Sequence, residues 1–377
     1  MNRPIRLCIV ITGLGVGGAE HGLLKLLSRL DRTRIEPSLI VLGQEDALLP
    51  RFREIGVEPL MLGLKPGRWP LAEFGRLISA VREREPDLLQ GWMYHGNLAA
   101  SFAASRIKPS PVLCWSVRDT PDAGQGHSLF TRIVIWLCGL YLGRVARIFN
   151  VSSRSADYCA SRLGWPRERT FILPNGVDTA LFRPDPASRA ALRAELGIEE
   201  SVPLVGHVAR WHPVKNHALF LEAVARLSER LPKIQCVLVG KGLEWGNAEL
   251  VGLIERYGLR AHCHLLGPRS EVSAIYPGFD LLALSSRSEG FPNVLVEAMS
   301  CGVPVVTTDV GDARDIVGKT GFVAESDASA MAKALGVVAD PLRCRELGRL
   351  ARDRVERHYG LDAVAASLEA EYRRLCG

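Results

Sequence analysis

The chain has 377 residues, 47% of them hydrophobic and 23% charged, with a formal net charge of +6. This composition excludes a disordered or fibrous protein and allows two or three domains. No apolar run reaches the ~18–20 residues of a membrane span. Nine singly scattered cysteines without Cys-x-x-Cys argue against a disulfide framework or zinc site and for a reducing cytosol.

Residues 5–11 read as a first strand. Arg3 and Arg6 ahead of the apolar run from Leu7 look signal-like, but that run enters glycine-rich sequence without a cleavage site. The turn 12–18 opens a helix over 19–30. A strand at 36–42, a helix near 48–55, a short strand at 59–62, a helix at 69–84 and a strand at 87–91 follow. Trp92 to Asn97 then leads to a small-residue helix at 98–105 and a strand at 112–116. This alternation predicts a parallel, helix-covered sheet. Residues 130–142 form an apolar helix, read as buried core, with membrane contact as the alternative. A strand at 146–151, a helix at 153–162 and a strand at 170–173 complete the first series. The polar stretch 182–201 reads as the domain junction.

A second series opens with a strand at 203–208 and continues with a helix at 217–231, a strand at 235–240, a helix at 249–257 and a short strand at 264–266. The apolar run 280–285 reads as a buried parallel strand. Gly290 then permits a tight turn, and Pro292 suits a first helical position. Val294, Leu295, Ala298 and Met299 recur at helical spacing, and Gly302 is a stop. Strands at 304–307 and 322–324 and helices at 328–335, 342–358 and 361–375 close the chain.

Five motifs carry chemistry. Gly13-Leu14-Gly15-Val16-Gly17-Gly18 satisfies the dinucleotide fingerprint, and Glu45 or Asp46 near the end of the second strand could supply its ribose carboxylate. Arg210 and Lys215, five apart on a loop opening a helix, suit a diphosphate clamp, with a bidentate guanidinium and a point-charge ammonium. Gly240-Lys241-Gly242 and Leu266-Gly267-Pro268-Arg269 each follow a strand. In the central stretch, free N–H groups at the helix mouth, around Gly290, Phe291, Pro292, Asn293 and Val294, suit a phosphate. Glu297 lies about 7.5 Å further along the axis, where a ribose would fall, and Glu289 lies on the sugar side.

Glu289-x7-Glu297, with Gly290-Phe291-Pro292 inside it and Cys301-Gly302-Val303-Pro304 after it, resembles the retaining nucleotide-sugar glycosyltransferases of family 4. Gly17-Gly18-Ala19-Glu20 and the Arg210-x4-Lys215 pair are similar to further family motifs. The resemblance implies an α/β GT-B fold of two Rossmann-like domains facing across a cleft. Residues 1–180 would form the acceptor side and 181–358 the donor side, with 359–377 a terminal helix crossing back to the first domain. It implies a sugar moved from a nucleotide diphosphate donor to a glycan or lipid-linked acceptor, in cell-surface polysaccharide or glycolipid synthesis. Arg210, Lys215 and the Gly17 and Gly18 amides would hold the diphosphate, Glu289 the sugar hydroxyls and Glu297 the ribose. Backbone around Gly267 and Arg269 would read the base. His95 would lie beside the reacting carbon, with Val117-Arg118-Asp119 on the acceptor side. No Asp-x-Asp is present, so neither metal nor cofactor is expected.

Residues 1–180 carry 23 Lys+Arg against 16 Asp+Glu, and the remainder carries 24 against 25. A basic first half suits an anionic membrane surface, or is simply an arginine-rich surface. The placement expected is cytoplasmic, with peripheral attachment to the inner face of the cell membrane. Without aromatic-basic interleaving, no nucleic acid is expected as partner. An NAD(P)-dependent Rossmann oxidoreductase and a GT-B nucleotide-sugar 2-epimerase are the alternatives.

Overall fold

The computed structural model describes residues 3–64, 71–119 and 128–377. The chain forms two units, Met1–Gly176 with Leu361–Gly377, and Val177–Gly360. Among the described residues the first unit holds β1 (Ile5–Ile11), β2 (Ile35–Val41), β3 (Pro59–Met61), β4 (Leu88–Trp92), β5 (Val112–Val117), β6 (Val145–Asn150) and β7 (Thr170–Ile172). They form one parallel sheet in the order β3-β2-β1-β4-β5-β6-β7. The second unit holds β8 (Leu204–Val208), β9 (Gln235–Val239), β10 (Cys263–Gly267), β11 (Leu281–Leu284), β12 (Val305–Thr308) and β13 (Phe322–Ala324), in the order β10-β9-β8-β11-β12-β13. These are also parallel.

The strands are apolar on both faces, as a helix-covered parallel sheet requires. Residues of β1 all but alternate between two clusters. Leu7, Ile9 and Ile11 face one, and Cys8 and Val10 the other. The strand order reverses direction between β1 and β4 in the first unit and between β8 and β11 in the second. Ligands of open α/β sheets bind outside the carboxyl ends of strands at such a reversal. The segments that follow β1, β4, β8 and β11 carry the 13–18 turn, His95, the Arg210–Lys215 pair and Glu289.

The helix Leu361–Cys376 belongs to the first unit. Val364, Ala365, Leu368 and Tyr372 join its core beside Leu23 and Leu27, each large buried side chain contributing about 1.5–3 kcal/mol. The Tyr372 hydroxyl donates to Gln90 on β4, and Arg147 pairs with Glu371 at 2.6 Å.

Three sequence expectations change. The stretch 182–201 contains a helix, Pro186–Leu196, inside the second unit, capped by Asp185 and ended by Gly197 at φ 67. Its Arg189 pairs with Asp280 at 2.7 Å, and the chain passes between units earlier, at 176–177. Pro292 is the cap of the helix Asn293–Ser300 rather than its first residue. The apolar helix Leu129–Gly139 is core on one face only: Val134, Ile135 and Cys138 are buried, while Leu129, Ile133 and Trp136 are exposed. The helix expected over 69–84 runs from Leu71 to Glu83, and 69–70 lie outside the described residues.

Candidate active site

The second unit assembles its site from three neighbouring loops. The loop after β8 makes one turn of 3-10 helix, Pro213–Lys215, and Asn216 then takes a left-handed conformation at φ 51. Ser285, at the end of β11, fixes this loop by donating to the carbonyls of Lys215 at 2.9 Å and Asn216 at 3.1 Å. The Arg287 amide adds a bond to the Val214 carbonyl at 2.8 Å. Lys215 thereby meets Glu289: Nζ to Oε1 is 2.5 Å, and the Ser286 hydroxyl donates to the same oxygen at 2.6 Å. Thr308 on β12 in turn donates to the Ser286 carbonyl at 2.6 Å. Gly311 presses against the same turn, at φ 50, where a Cβ would come within 2.5 Å of the Glu289 carbonyl oxygen and 2.6 Å of that of Gly290. Only glycine fits there.

The helix Asn293–Ser300 starts four residues after Glu289. It has no side-chain cap and no acid in its first turn, so no side chain there offsets the positive end of its dipole, which suits an anion. Glu297 lies within it, half-buried, and accepts from the Tyr276 hydroxyl at 2.7 Å. Tyr276 is fully buried. Burial, then the Glu297 carboxylate, push its hydroxyl far above the ordinary tyrosine range, so it remains a donor. Neither Tyr276 nor Ser286 carries a motif, and the Tyr276-Pro277-Gly278 sequence signals only a turn.

Arg210 is exposed on the β8 loop. Beside it the Trp211 amide bonds the Lys241 carbonyl at 2.7 Å, and the Gly240 amide bonds the Gly267 carbonyl at 2.8 Å. The ends of β8, β9 and β10 are therefore tied by backbone. Gly240 stands at φ 145, and a Cβ there would collide with the Ala209 carbonyl oxygen. His207 and His217 lie beneath the loop with rings 4.9 Å apart. Burial, His217 and Lys215 hold His207 well below the ordinary histidine value, and burial with Lys215 pushes His217 down to about 4. Arg269 is turned aside into an ion pair with Glu195. The site thus brings Lys215, Glu289 and the Gly290 turn together, with Glu297 along the following helix.

In the first unit, Gly17 caps the helix Gly18–Arg29, and no side chain provides a cap bond. Glu20, in the first turn, folds its carboxylate back against the Gly17 α-carbon. Glu45 lies over the same turn, since a Cβ at Gly15 would stand 2.8 Å from its Oε2. The Leu14 amide bonds the Glu45 carbonyl at 2.9 Å and so fixes this loop pair. The ribose role considered for Glu45 is therefore not its position here: it covers the glycines a dinucleotide would approach. Around Gly18 no atom stands within 4 Å of a Cβ position.

His95 sits in the first turn of the helix Met93–Ala104, its ring stacked on Phe130 with centroids 5.5 Å apart. Nearby, Arg118 donates to the Leu173 carbonyl at 2.7 Å and to Asn175 at 2.5 Å, with its guanidinium over the Trp92 ring. Burial lowers Arg118 to about 9. Tyr94 donates to Asp119 at 3.1 Å.

Two doubly wound units, the second with Arg210, Lys215 and an uncapped helix end at its strand-order reversal, fit an enzyme that binds a phosphate-bearing ligand. The model of the group 1 glycosyl transferases matches residues 188–354, and that of glycosyltransferase family 4 matches residues 16–181. The chain belongs to these glycosyltransferases. It is 26% identical over 308 residues to EpsF of Bacillus subtilis (strain 168), whose own glycosyltransferase assignment is provisional; the match covers 81% of this chain and 79% of EpsF. It is 34% identical over 227 residues to a GDP-mannose-dependent alpha-(1-6)-phosphatidylinositol monomannoside mannosyltransferase of Mycolicibacterium smegmatis, covering 56% of each chain. The chain thus spans about half the length of that relative. Among solved structures, Anabaena Alr3699/HepE in complex with UDP superposes with a TM-score of 0.83 at 19% identity, over 98% of this chain and 100% of that one. Membership in this family removes the oxidoreductase alternative.

Proposed function

We propose that the protein transfers a sugar, with retained anomeric configuration, from a nucleoside diphosphate donor to a glycan or lipid-linked acceptor of cell-surface polysaccharide or glycolipid synthesis. The observation that carries this reading is the Lys215–Glu289 pair at the β8/β11 reversal, with Glu289 on the loop that leads into an uncapped, acid-free helix mouth. The HepE structures, which include complexes with UDP and with UDP-glucose, support a nucleotide-sugar donor. The name of the mannosyltransferase supports a lipid-linked acceptor.

On this reading the diphosphate takes Lys215 over from Glu289, and Arg210 and the helix mouth complete its counter-charge. Glu289 is released to the donor-sugar hydroxyls, and Glu297, oriented by Tyr276, holds the ribose. The Gly17 and Gly18 amides and His95 act from the first unit. The bond between the anomeric carbon and the β-phosphate oxygen breaks, and the acceptor oxygen bonds that carbon on the same face. The acceptor proton passes to the departing phosphate oxygen. Cations and amides aimed at the leaving charge supply the stabilisation, and no metal or cofactor is used. The place of work is the cytoplasmic side of the membrane, where the free cysteines stay reduced.

The test is a screen of nucleotide sugars for donor hydrolysis and transfer, with and without EDTA. Turnover of one donor class, insensitive to EDTA and giving a retained anomer, is expected. Turnover of none contradicts the transferase reading. Loss in EDTA with rescue by Mg²⁺ or Mn²⁺ contradicts the cation clamp. Epimerised sugar released without acceptor identifies the 2-epimerase instead.

A further inference from the structure

The helix Leu129–Gly139 leaves one apolar face in solvent. Leu129 is 72% exposed, Ile133 47%, Trp136 68% and the capping residue Leu140 68%. At about 100° per residue these four positions fall within an arc of about 60°. Val134, Ile135 and Cys138, which are buried, point the other way. The core-packing role is thus met by the opposite face and does not account for the exposed one. Solitary exposed apolar residues are ordinary, but an aligned row of four on a single helix is not.

Along the stretch of chain that carries this row, between Asp122 and Asp157, the charge has one sign. Between residues 123 and 156 the charged residues are Arg132, Arg144, Arg147 and Arg154, with no aspartate or glutamate. Arg147 is engaged by Glu371, while Arg132, within the span of the row, and Arg144, just past its end, are exposed. Arg132 falls about 60° from Leu129 around the helix axis, beside the apolar arc. A second copy of the chain would bring its own arginines against these, which like-charge repulsion opposes. An anionic surface complements them. The helix is about 17 Å long, too short to span a bilayer, and no helix among the described residues is long and apolar enough to do so. An in-plane amphipathic helix is the form that such a face takes at a membrane, with the tryptophan suited to the headgroup boundary.

We propose that this face seats the protein on an anionic bilayer. Leu129, Ile133, Trp136 and Leu140 enter the acyl boundary, and Arg132 and Arg144 meet lipid phosphates. This deepens the reading of a lipid-linked acceptor, on which its biological purpose rests. Phe130, in the first turn of the same helix, stacks on His95, so the bilayer-facing element and the candidate acceptor-side histidine share one contact.

The experiment is flotation of the full chain with phosphatidylcholine vesicles, with and without phosphatidylglycerol. The variants are Ile133→Glu/Trp136→Glu and Arg132→Glu/Arg144→Glu. Wild type should float with the anionic vesicles and weaken as salt rises. Each double variant should lose at least ~tenfold in partitioning. A second readout is quenching of tryptophan fluorescence by brominated lipid, which Trp136→Phe should largely abolish even if the glutamate variants fail to fold. Calorimetry with UDP on the same samples should be unchanged, because none of the substituted residues is among those assigned to the donor. Absence of UDP binding in wild type would count against the donor reading and leave the flotation result standing. Wild-type binding that both double variants retain, or quenching that Trp136→Phe leaves intact, overturns the proposal. So does a wild-type dimer in light scattering that Ile133→Glu/Trp136→Glu dissociates, since that makes the face a self-association surface.

Discussion

The two units begin alike and differ in charge. Each places its first strand at the reversal of strand order and follows it with a loop and a helix. The loop after β1 is built of glycines and is attended by two carboxylates, Glu20 against Gly17 and Glu45 over Gly13 and Gly15. The loop after β8 carries Arg210 and Lys215, and the helix mouth across the reversal has no acid in its first turn. Glycine spacing thus tells where a backbone can approach a phosphate. It does not tell where the phosphate is held, because a resident carboxylate repels an anion that fixed cations would attract. The richer glycine motif lies in the unit with the weaker anion site.

This contrast can be broken by mutation. The largest effect is expected on turnover: Lys215→Ala should lower kcat by ~10²–10³, the usual cost of removing a donor aimed at developing charge. Removing Glu20 in the first unit (Glu20→Gln) should change kcat by less than ~tenfold, because it only stands beside the amides. Steady-state kinetics on both variants decides, and equal losses would erase the distinction between the loops.

Stability sharpens it next. Gly240→Ala drives a Cβ into the Ala209 carbonyl at a positive φ and should cost about 3 kcal/mol. Gly18→Ala meets open space and should stay within about 0.5 kcal/mol of wild type. Urea unfolding of the two variants measures the difference, and a Gly240→Ala protein as stable as wild type would contradict the tied strand ends.

Acid should then act on the second unit first. His217 is held neutral, lowered from 6.5 to about 4. Its contribution is complete above the unfolded value and is lost as pH falls from 6.5 toward 4, because the unfolded chain binds the extra proton. From pH 7 to pH 5 this removes about 2 kcal/mol. In the first unit, Arg3 draws Asp87 down to about 2, so its contribution is lost only below the ordinary carboxylate value of 3.8. Urea midpoints at the two pH values test this, and stability unchanged at pH 5 rules out a neutral buried histidine. The smallest effect is expected for Tyr276→Phe, which removes one hydrogen bond to Glu297 and should weaken nucleoside diphosphate binding by about 3–10-fold. An unchanged dissociation constant in calorimetry would make Tyr276 a packing residue only.

The sequence shows the parallel strands, because near-continuous apolar runs bounded by turns have few other uses. It also shows Glu289, Glu297, Arg210 and Lys215, whose spacing survives without coordinates. The helix Pro186–Leu196 is missed because it is polar and starts with proline. Asp185 before it and Gly197 after it are the cap signals that mark it. The exposed face of Leu129–Gly139 is not legible, since an almost wholly apolar segment does not state which side the core covers. The contacts of Tyr276 with Glu297, and of Glu45 with the glycine turn, join residues far apart in sequence, and no local pattern announces them.

The claim at the centre of this account is that the central motif divides the donor, Glu297 toward the nucleoside and Glu289 toward the sugar. Calorimetric titration of wild type, Glu297→Ala and Glu289→Ala with the bare nucleoside diphosphate tests it most directly. Loss of a carboxylate that accepts a ligand hydrogen bond costs ~1.5–3 kcal/mol, so Glu297→Ala should bind roughly 10- to 150-fold more weakly. Glu289→Ala should bind the bare nucleotide within about threefold of wild type, because its loss leaves Lys215 unpaired and available, while turnover of the whole donor falls. Equal weakening of the bare nucleotide by both substitutions would contradict the account.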